Sequence, residues 1–473
     1  MEITKPDSPG YDKAREMVNK RIDQRPSAIL TCASVSDVQA AIAMTKRDGK
    51  KARIRAGRHS YEGFSIGGPD TYVIDVSPLN HLDIDKTTQT AWVGGGSQLY
   101  YDVYQPLWDG GQYTIPGGSC PTVSVGGLVS GGGFSFSGRK FGLTCDSVTA
   151  IQIVTGDGQL RTIDENHCQD LFWGCRGGGN GNFGVITGYQ FKLYPASDVV
   201  LYQIDWPWQQ NNIASICKAW AAMVANTSKE LMTFLRFSAG DKGPILSSFG
   251  QYYGDQKDLE TIVDGYFGKF CHNTISFETV SNIDAVRHWG GIKTKSRPLN
   301  APHFMLHHDT LGSPTEPEGG NPVKFVFHDG GYFKASSIML DRFFNDAELQ
   351  YLYQIINEHN DTHTFIVLDS QQNGYSSALA PDYNAYAHRQ AIASVQIYTS
   401  WTDPKQTQQH IDLVENIRKN LTGAGKGAYR NYGDTLIPDW QTAYYGDHYQ
   451  RLQLVKQRYD SDNLFCYEQS ISP

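Results

Sequence analysis

Between residues 117 and 133 the chain reads Gly117-Gly118-Ser119-Cys120-Pro121-Thr122-Val123, then Gly126-Gly127 and Gly131-Gly132-Gly133. A helix or strand interior does not favour so much glycine, because each residue costs roughly 0.5–1 kcal/mol of backbone entropy relative to alanine. Such density suits a backbone against which a bulky ligand lies. A flexible loop or a tight sheet corner would also tolerate it.

Two further clusters lie on either side. Upstream is Arg55-Ala56-Gly57-Arg58-His59-Ser60-Tyr61, followed by Gly67-Gly68. It comes directly after a strand pattern at Ala52–Arg55, so its turn exposes N–H groups that can cradle a pyrophosphate. An ordinary turn with a surface histidine is the alternative. Downstream is Gly177-Gly178-Gly179-Asn180-Gly181-Asn182-Phe183-Gly184, running into Val185-Ile186-Thr187. None of the three is a Walker A loop, since no Gly-Lys-Ser/Thr follows. Gly94-Gly95-Gly96 follows a strand but lacks the acidic partner of a dinucleotide fingerprint. A pyrophosphate ligand that avoids both patterns is often FAD.

Around these clusters the pattern is mixed. Helices are predicted at residues 11–22 and 35–48, the second capped by Ser34 with Asp37 three residues on. Tyr100–Trp108 reads as a short helix. Strands are predicted at Ala52–Arg55, Tyr72–Val76, Ala91–Val93, Val148–Thr155 and Val185–Leu193. Beyond Pro195 the glycine clusters stop. There the reading gives helices at Ala214–Ala225, Asp258–Phe270 and Glu348–His359, and strands at Gly243–Tyr253, Phe325–Phe327, His363–Asp369 and Ile392–Thr399. A last helix is predicted over Tyr445–Tyr459. Blocks of strands and helices imply an α+β fold.

The chain has 473 residues, long enough for two lobes. Hydrophobic residues make up 40% and charged residues 19%, as in a globular protein. A net charge of −8 gives no reason to expect nucleic acid or an anionic membrane as partner. No apolar run approaches the ~18 residues of a membrane span. Eight cysteines are scattered without a CxxC pair, and no metal-ligand cluster is visible, so no metal is expected. The start, Met1-Glu2-Ile3-Thr4-Lys5-Pro6, lacks the basic region and apolar run of a secretion signal. A cytoplasmic location is expected unless a leader has been removed.

Arg58-His59-Ser60-Tyr61, Cys120-Pro121-Thr122-Val123-Ser124-Val125-Gly126-Gly127 and Tyr429-Arg430-Asn431-Tyr432 together resemble the berberine-bridge-enzyme-like flavin oxidases of the vanillyl-alcohol-oxidase superfamily. The resemblance runs from Pro6 to Phe465. It implies a two-lobe fold: an FAD-binding lobe from residues 1–197 and 421–473, and a substrate lobe over 198–420, an antiparallel sheet covered by helices on one side. It implies FAD held covalently by His59, at the 8α-methyl, and by Cys120, at carbon 6. The cofactor wall is expected to draw on Arg55, Ala56, Gly57, Arg58 and Ser60, on Gly117, Gly118, Gly126, Gly127 and Gly132, and on Gly181, Val185, Ile186 and Asn431. Val123 stands where the family carries its oxygen gatekeeper, and its modest size is similar to that in members that use O₂.

The reaction implied is hydride transfer from a carbon to FAD, with O₂ reduced to H₂O₂. A base must take the proton from the attached oxygen or nitrogen. Tyr429 and Asp369 are the candidates by resemblance to glucooligosaccharide oxidases. A phenol titrating near ~10 needs such a neighbour, working with it as a relay rather than as a resting phenolate. Tyr61, Gln396 and Tyr398 could contact a hydroxylated ligand. The leading reading is a sugar oxidase acting at C1 to give a lactone. Phe365 and Val367 replace the Trp and Gln of the oligosaccharide members, which disfavours a long oligosaccharide. A secondary-metabolite alcohol or amine is the alternative substrate. A colourless binding protein on the same scaffold is the third reading.

Overall fold

A computed structural model describes residues 1–239, 243–292, 331–360 and 362–473. The run expected at Phe325–Phe327 lies outside the described residues. The first sheet has the order Glu2–Thr4, Ala28–Thr31, Thr71–Asp75, Lys51–Arg55, and its last three strands run parallel. Its core packs the helix Val35–Arg47 through Val38, Ala41 and Ile42. Ser34 caps that helix, accepting from the Asp37 amide at 3.2 Å. The second sheet is antiparallel, in the order Leu82–Asp85, Thr90–Gly94, Gly184–Lys192, Val148–Thr155, Leu160–Asp164.

The end of the chain returns to these sheets. The Ala52 amide donates to the Leu464 carbonyl at 2.9 Å, and Leu464 and Phe465 join the core beneath Ala28, Leu30 and Ile74. The helix Tyr449–Tyr459 contributes Leu452 and Val455 to the core around Leu171, Phe183 and Tyr189.

The third sheet is antiparallel. Its order is Thr274–Val280, Val199–Trp206, Ile245–Tyr252, Leu231–Ser238, His363–Ser370, Ala393–Trp401, Tyr332–Met339. Side chains alternate between its faces. Leu235, Phe237, Ile366, Leu368, Val395 and Ile397 point to one face, where helices Gln210–Asn226, Gln256–Phe267, Asp346–Glu358 and Thr407–Leu421 cover them. Each such fully buried side chain contributes roughly 1.5–3 kcal/mol. The other face carries Phe234, Arg236, Phe365, Val367, Asp369 and Gln396. The register sets Phe234 opposite Asp369, Arg236 opposite Val367, and Val367 opposite Gln396. This face looks back toward the first two sheets.

The first helix departs from the 11–22 reading. It spans only Tyr11–Arg15, and Glu16 turns out with ψ 138°. Tertiary partners take over from there: the Val18 amide donates to the Arg58 carbonyl, and the Asn19 side chain donates to the Tyr61 and Phe333 carbonyls. The last helix is also shorter than its reading, Tyr449–Tyr459, with Trp440–Tyr445 a separate helical segment before it.

Candidate active site

The turn after Lys51–Arg55 is set by ion pairing and by a missing side chain. Arg55 is buried and donates to Asp75 Oδ2 through Nη2 at 2.6 Å and Nε at 2.9 Å, joining two parallel strands. Arg58 follows with φ 63°. Burial and the neighbouring Arg55 charge lower its guanidinium to about 10. Gly57 must be glycine: a Cβ there would lie 2.8 Å from the Ser124 amide nitrogen and 2.9 Å from the Thr122 carbonyl. Its absence lets the turn press against residues 122–124. His59 Nε2 then stands 3.0 Å from Thr122 Oγ1, which puts the histidine beside the Cys120 segment.

That segment is anchored in turn. The Leu99 amide donates to the Val123 carbonyl, Tyr100 to Pro121, and Gly126 to Gly95. Burial pushes the Cys120 thiol up to about 11. Gly131 leaves space that Asn431 fills; Asn431 Nδ2 donates to the Leu128 carbonyl at 2.9 Å, and Asn180 donates to Asn431 Oδ1 at 3.2 Å. Asn431 therefore links the second and third glycine clusters.

Together these segments line a cleft of about 280 Å³. It starts at Ala52 and Ile54 of the parallel sheet. Ala56, Gly57, Arg58, His59, Ser60, Gly118, Cys120, Val123, Gly126, Gly127, Gly181, Ile186 and Asn431 form its walls. It ends on the third sheet at Met232, Phe234, Phe249, Phe333, Phe365, Val367, Asp369 and Gln396. Five expected residues are not on this wall. Arg55 is spent on Asp75, and Gly117 faces the Tyr104 hydroxyl. Gly132 packs against Tyr386 and Tyr429, and Val185 is buried in the core of the parallel sheet. Tyr398 is on the same face as Gln396 but is buried between Phe365, 4.9 Å away, and Phe333, 5.4 Å away.

At the substrate end the two candidate bases do not form a hydrogen-bonded pair. The Tyr429 oxygen accepts from the Gly133 amide at 2.8 Å, the Phe134 amide at 3.3 Å and Asn431 Nδ2 at 2.9 Å. It fastens the glycine segment rather than reaching Asp369. The Asp369 carboxyl is buried, and burial pushes it up to about 8. The phenol on which its charge acts is Tyr432, which sequence reading had left without a role. Burial raises the Tyr432 phenol well above its ordinary value, and Asp369, Tyr61, Tyr429 and Cys120 raise it further. Tyr432 thus lies close enough to Asp369, Tyr61, Tyr429 and Cys120 for their charges to act on it. Its ring lies parallel to Tyr61, with centroids 5.8 Å apart, and Gln396 Nε2 donates to the Tyr61 hydroxyl at 3.2 Å. Arg430 is a second unforeseen wall residue, packed over Phe64 and hydrogen-bonded to Tyr445 and Tyr467.

Known proteins resemble this chain over nearly its whole length. Residues 26–164 match the FAD binding domain family, and residues 428–472 match the berberine and berberine-like family. The chain is 28% identical over 471 residues to YgaK, an FAD-linked oxidoreductase of Bacillus subtilis, covering 99% of this chain and 96% of that protein. Its fold superposes on Physcomitrella patens BBE-like 1 with a TM-score of 0.86, at 26% identity, over 99% of this chain and 96% of the other. It superposes on the glucooligosaccharide oxidase from Acremonium strictum with a TM-score of 0.83, at 25% identity, over 100% and 97%. That enzyme is described with a 6-S-cysteinyl, 8α-N1-histidyl FAD. The two-lobe α+β architecture is therefore the vanillyl-alcohol-oxidase-type flavoprotein fold. The chain thus carries an FAD binding domain and a berberine-like segment, and it is an FAD-linked oxidoreductase.

The cleft itself suits FAD. Gly118 and Gly127 line it with no protein atom within 3.4 Å of where a Cβ would stand, so backbone is open to a flat ligand. Ser65 Oγ is a buried wall atom without a hydrogen-bond partner among the described residues. An imidazole and a thiol, both able to bond to an electron-poor ring, share the wall. No described helix is long and apolar enough to cross a membrane.

Proposed function

We propose that this protein is an oxidase that carries FAD on His59 and Cys120 and oxidises a hydroxyl of a short sugar, at C1 to give a lactone. The observation that carries this reading is the convergence of Asp369 and Tyr432 at the same end of the cleft as Cys120 and Tyr61. Residues 1–197 with 421–473 would hold the flavin and 198–420 the substrate. The return of Leu464 and Phe465 to the first sheet supports that division.

When bound, FAD would supply a two-electron acceptor for the carbinol carbon, with dioxygen as the final acceptor and peroxide as the product. The chain's own residues handle the proton. Tyr432 presents its phenol to the substrate hydroxyl, and ionised Asp369 is the final proton acceptor. A phenol raised this far does not rest as phenolate, so the proton must move as the carbon is oxidised. Gln396 and the Tyr61 hydroxyl orient the substrate oxygen. Phe234, Phe249 and Phe365 offer rings on which the apolar face of a sugar can pack. Val123 on the wall leaves room for dioxygen.

One observation favours a second reading. The floor formed by Met232, Phe234, Phe249, Phe365 and Val367 carries few hydrogen-bonding groups for a polyhydroxylated ligand. A secondary-metabolite alcohol or amine would bury more apolar surface there. Peroxide release separates the two: glucose, cellobiose and lactose against benzylic and allylic alcohols and benzylic amines. Turnover of sugars supports the first reading. Turnover of the apolar compounds alone replaces it with the second, and turnover of none removes both.

A further inference from the structure

The strand Tyr332–Met339 carries Lys334, which is 1% exposed. Its neighbour Phe333 faces the cleft and meets the Tyr61 ring edge-on at 5.1 Å. Alternation turns Lys334 to the opposite side, at the edge of the sheet. There its Nζ donates to Glu62 Oε1 at 2.7 Å and to Asp434 Oδ1 at 2.5 Å. Glu62 and Asp434 are both buried. One follows Tyr61 directly, and the other lies two residues after Tyr432.

We infer that Lys334 is a positioning residue for the reaction: by holding Glu62 and Asp434 together it keeps Tyr61 and Tyr432 parallel across the substrate end of the cleft. The two rings come from distant parts of the chain and are parallel within 5°. Lys334 binds the side chains of Glu62, next to Tyr61, and of Asp434, two residues past Tyr432. Other contacts brace the Tyr61 side: Arg21 pairs with Glu62 at 2.8 Å, and Asn19 and Arg21 donate to the Tyr61 carbonyl at 3.1 and 3.3 Å. On the Tyr432 side Arg418 lies 4.0 Å from Asp434 and is mainly engaged with Glu415. Among the described residues, Lys334 is the cation within hydrogen-bond reach of both carboxylates. Without it, two buried carboxylates would face each other with less compensation, and they would move apart.

This inference rests on the reading of Tyr432 as the phenol that meets the substrate. Its test uses the full-length, flavin-loaded protein with Lys334→Met and Lys334→Arg. Crystal structures provide the readout that needs no substrate. In Lys334→Met the Tyr61 and Tyr432 rings should leave the parallel arrangement, and in Lys334→Arg they should keep it. Kinetics use whichever compound of the panel above is turned over. Lys334→Met should slow flavin reduction by about 100-fold, the scale of a 1 Å misplacement, with KM within about threefold; Lys334→Arg should restore most of the rate. Parallel rings in Lys334→Met, or a rate unchanged from wild type, would overturn the proposal. So would a loss in KM alone. If Lys334→Met does not accumulate as folded protein, Glu62→Gln removes half of the same clamp and is read the same way. A Tyr432→Phe variant that reduces its flavin normally would remove the underlying reading instead, whatever Lys334 does.

Discussion

The Gly133 amide donates to the Tyr429 oxygen at 2.8 Å, and this contact separates two tyrosines that the sequence presents almost as equals. Tyr429 is tied to three donors, the Gly133 and Phe134 amides and the Asn431 side chain. Tyr432 is the one on which Asp369 acts. Tyr432→Phe should therefore slow flavin reduction by about 10²–10⁴-fold, the range for losing a general acid or base, with flavin content and melting temperature nearly unchanged. Tyr429→Phe should cost about 1–3 kcal/mol of stability by leaving buried donors unmet, with the smaller loss of rate. Anaerobic flavin reduction and thermal unfolding of both variants check this.

Asp369 gives the protein a pH signature. Its carboxyl titrates at about 8 in the folded chain, raised by burial, against ~3.9 unfolded. Below about 8 the folded carboxyl is neutral, so the rate should rise with pH through that value as the base ionises. Asp369→Asn should be slow at every pH and lack this limb. Stability has the opposite sign. Between about 4 and 8 the folded state holds a proton that the unfolded state has lost, so stability falls as pH rises through the window. Urea unfolding across that range should show a shallower slope in Asp369→Asn.

Cys120 should make flavin attachment depend on alkali. Its thiol is pushed up to about 11 in the flavin-free chain, and the thiolate is the nucleophile. Below that value the thiolate fraction grows about tenfold per pH unit. Flavin-free protein mixed with FAD should form the cysteinyl bond at a rate that climbs accordingly between pH 6 and 9, measured as acid-stable flavin in a His59→Ala background. A flat rate would mean that bound flavin itself lowers the thiol.

Gly57→Ala tests the close approach of the His59 and Cys120 segments. The new methyl would press on the Ser124 amide and the Thr122 carbonyl, and backbone cannot yield as a side-chain end does. The turn should back away and carry His59 out of reach of Thr122. Histidyl attachment should fall sharply while the protein stays folded, read by tryptic flavopeptide mass.

What was legible in the sequence was local chemistry. Glycine density at 57, 118, 126, 127 and 181, with a histidine and a cysteine among them, signals a backbone-lined cleft without any tertiary information. Tyr432 was not legible as a partner of Asp369, because two phenols three residues apart differ only in what the fold brings to them. The strand Leu231–Ser238 was missed because Leu-Met-Thr-Phe-Leu-Arg-Phe-Ser lacks the alternation that marks a strand. Tyr332–Met339 was missed because Lys334, Ser336 and Ser337 dilute its apolar pattern; those polar groups are buried only because the fold surrounds them. The first helix was read too long because nothing at Glu16 reveals that Val18 to Arg21 bind Arg58, Tyr61 and Phe333 instead.

The proposed chemistry depends first on the double tether. The decisive measurement is the visible spectrum of purified protein before and after acid precipitation, for wild type, His59→Ala, Cys120→Ala and the double variant. Yellow colour should stay with the wild-type pellet and with each single variant, and wash free only when both residues are changed. Flavin that leaves the wild-type pellet would contradict the assignment of both His59 and Cys120.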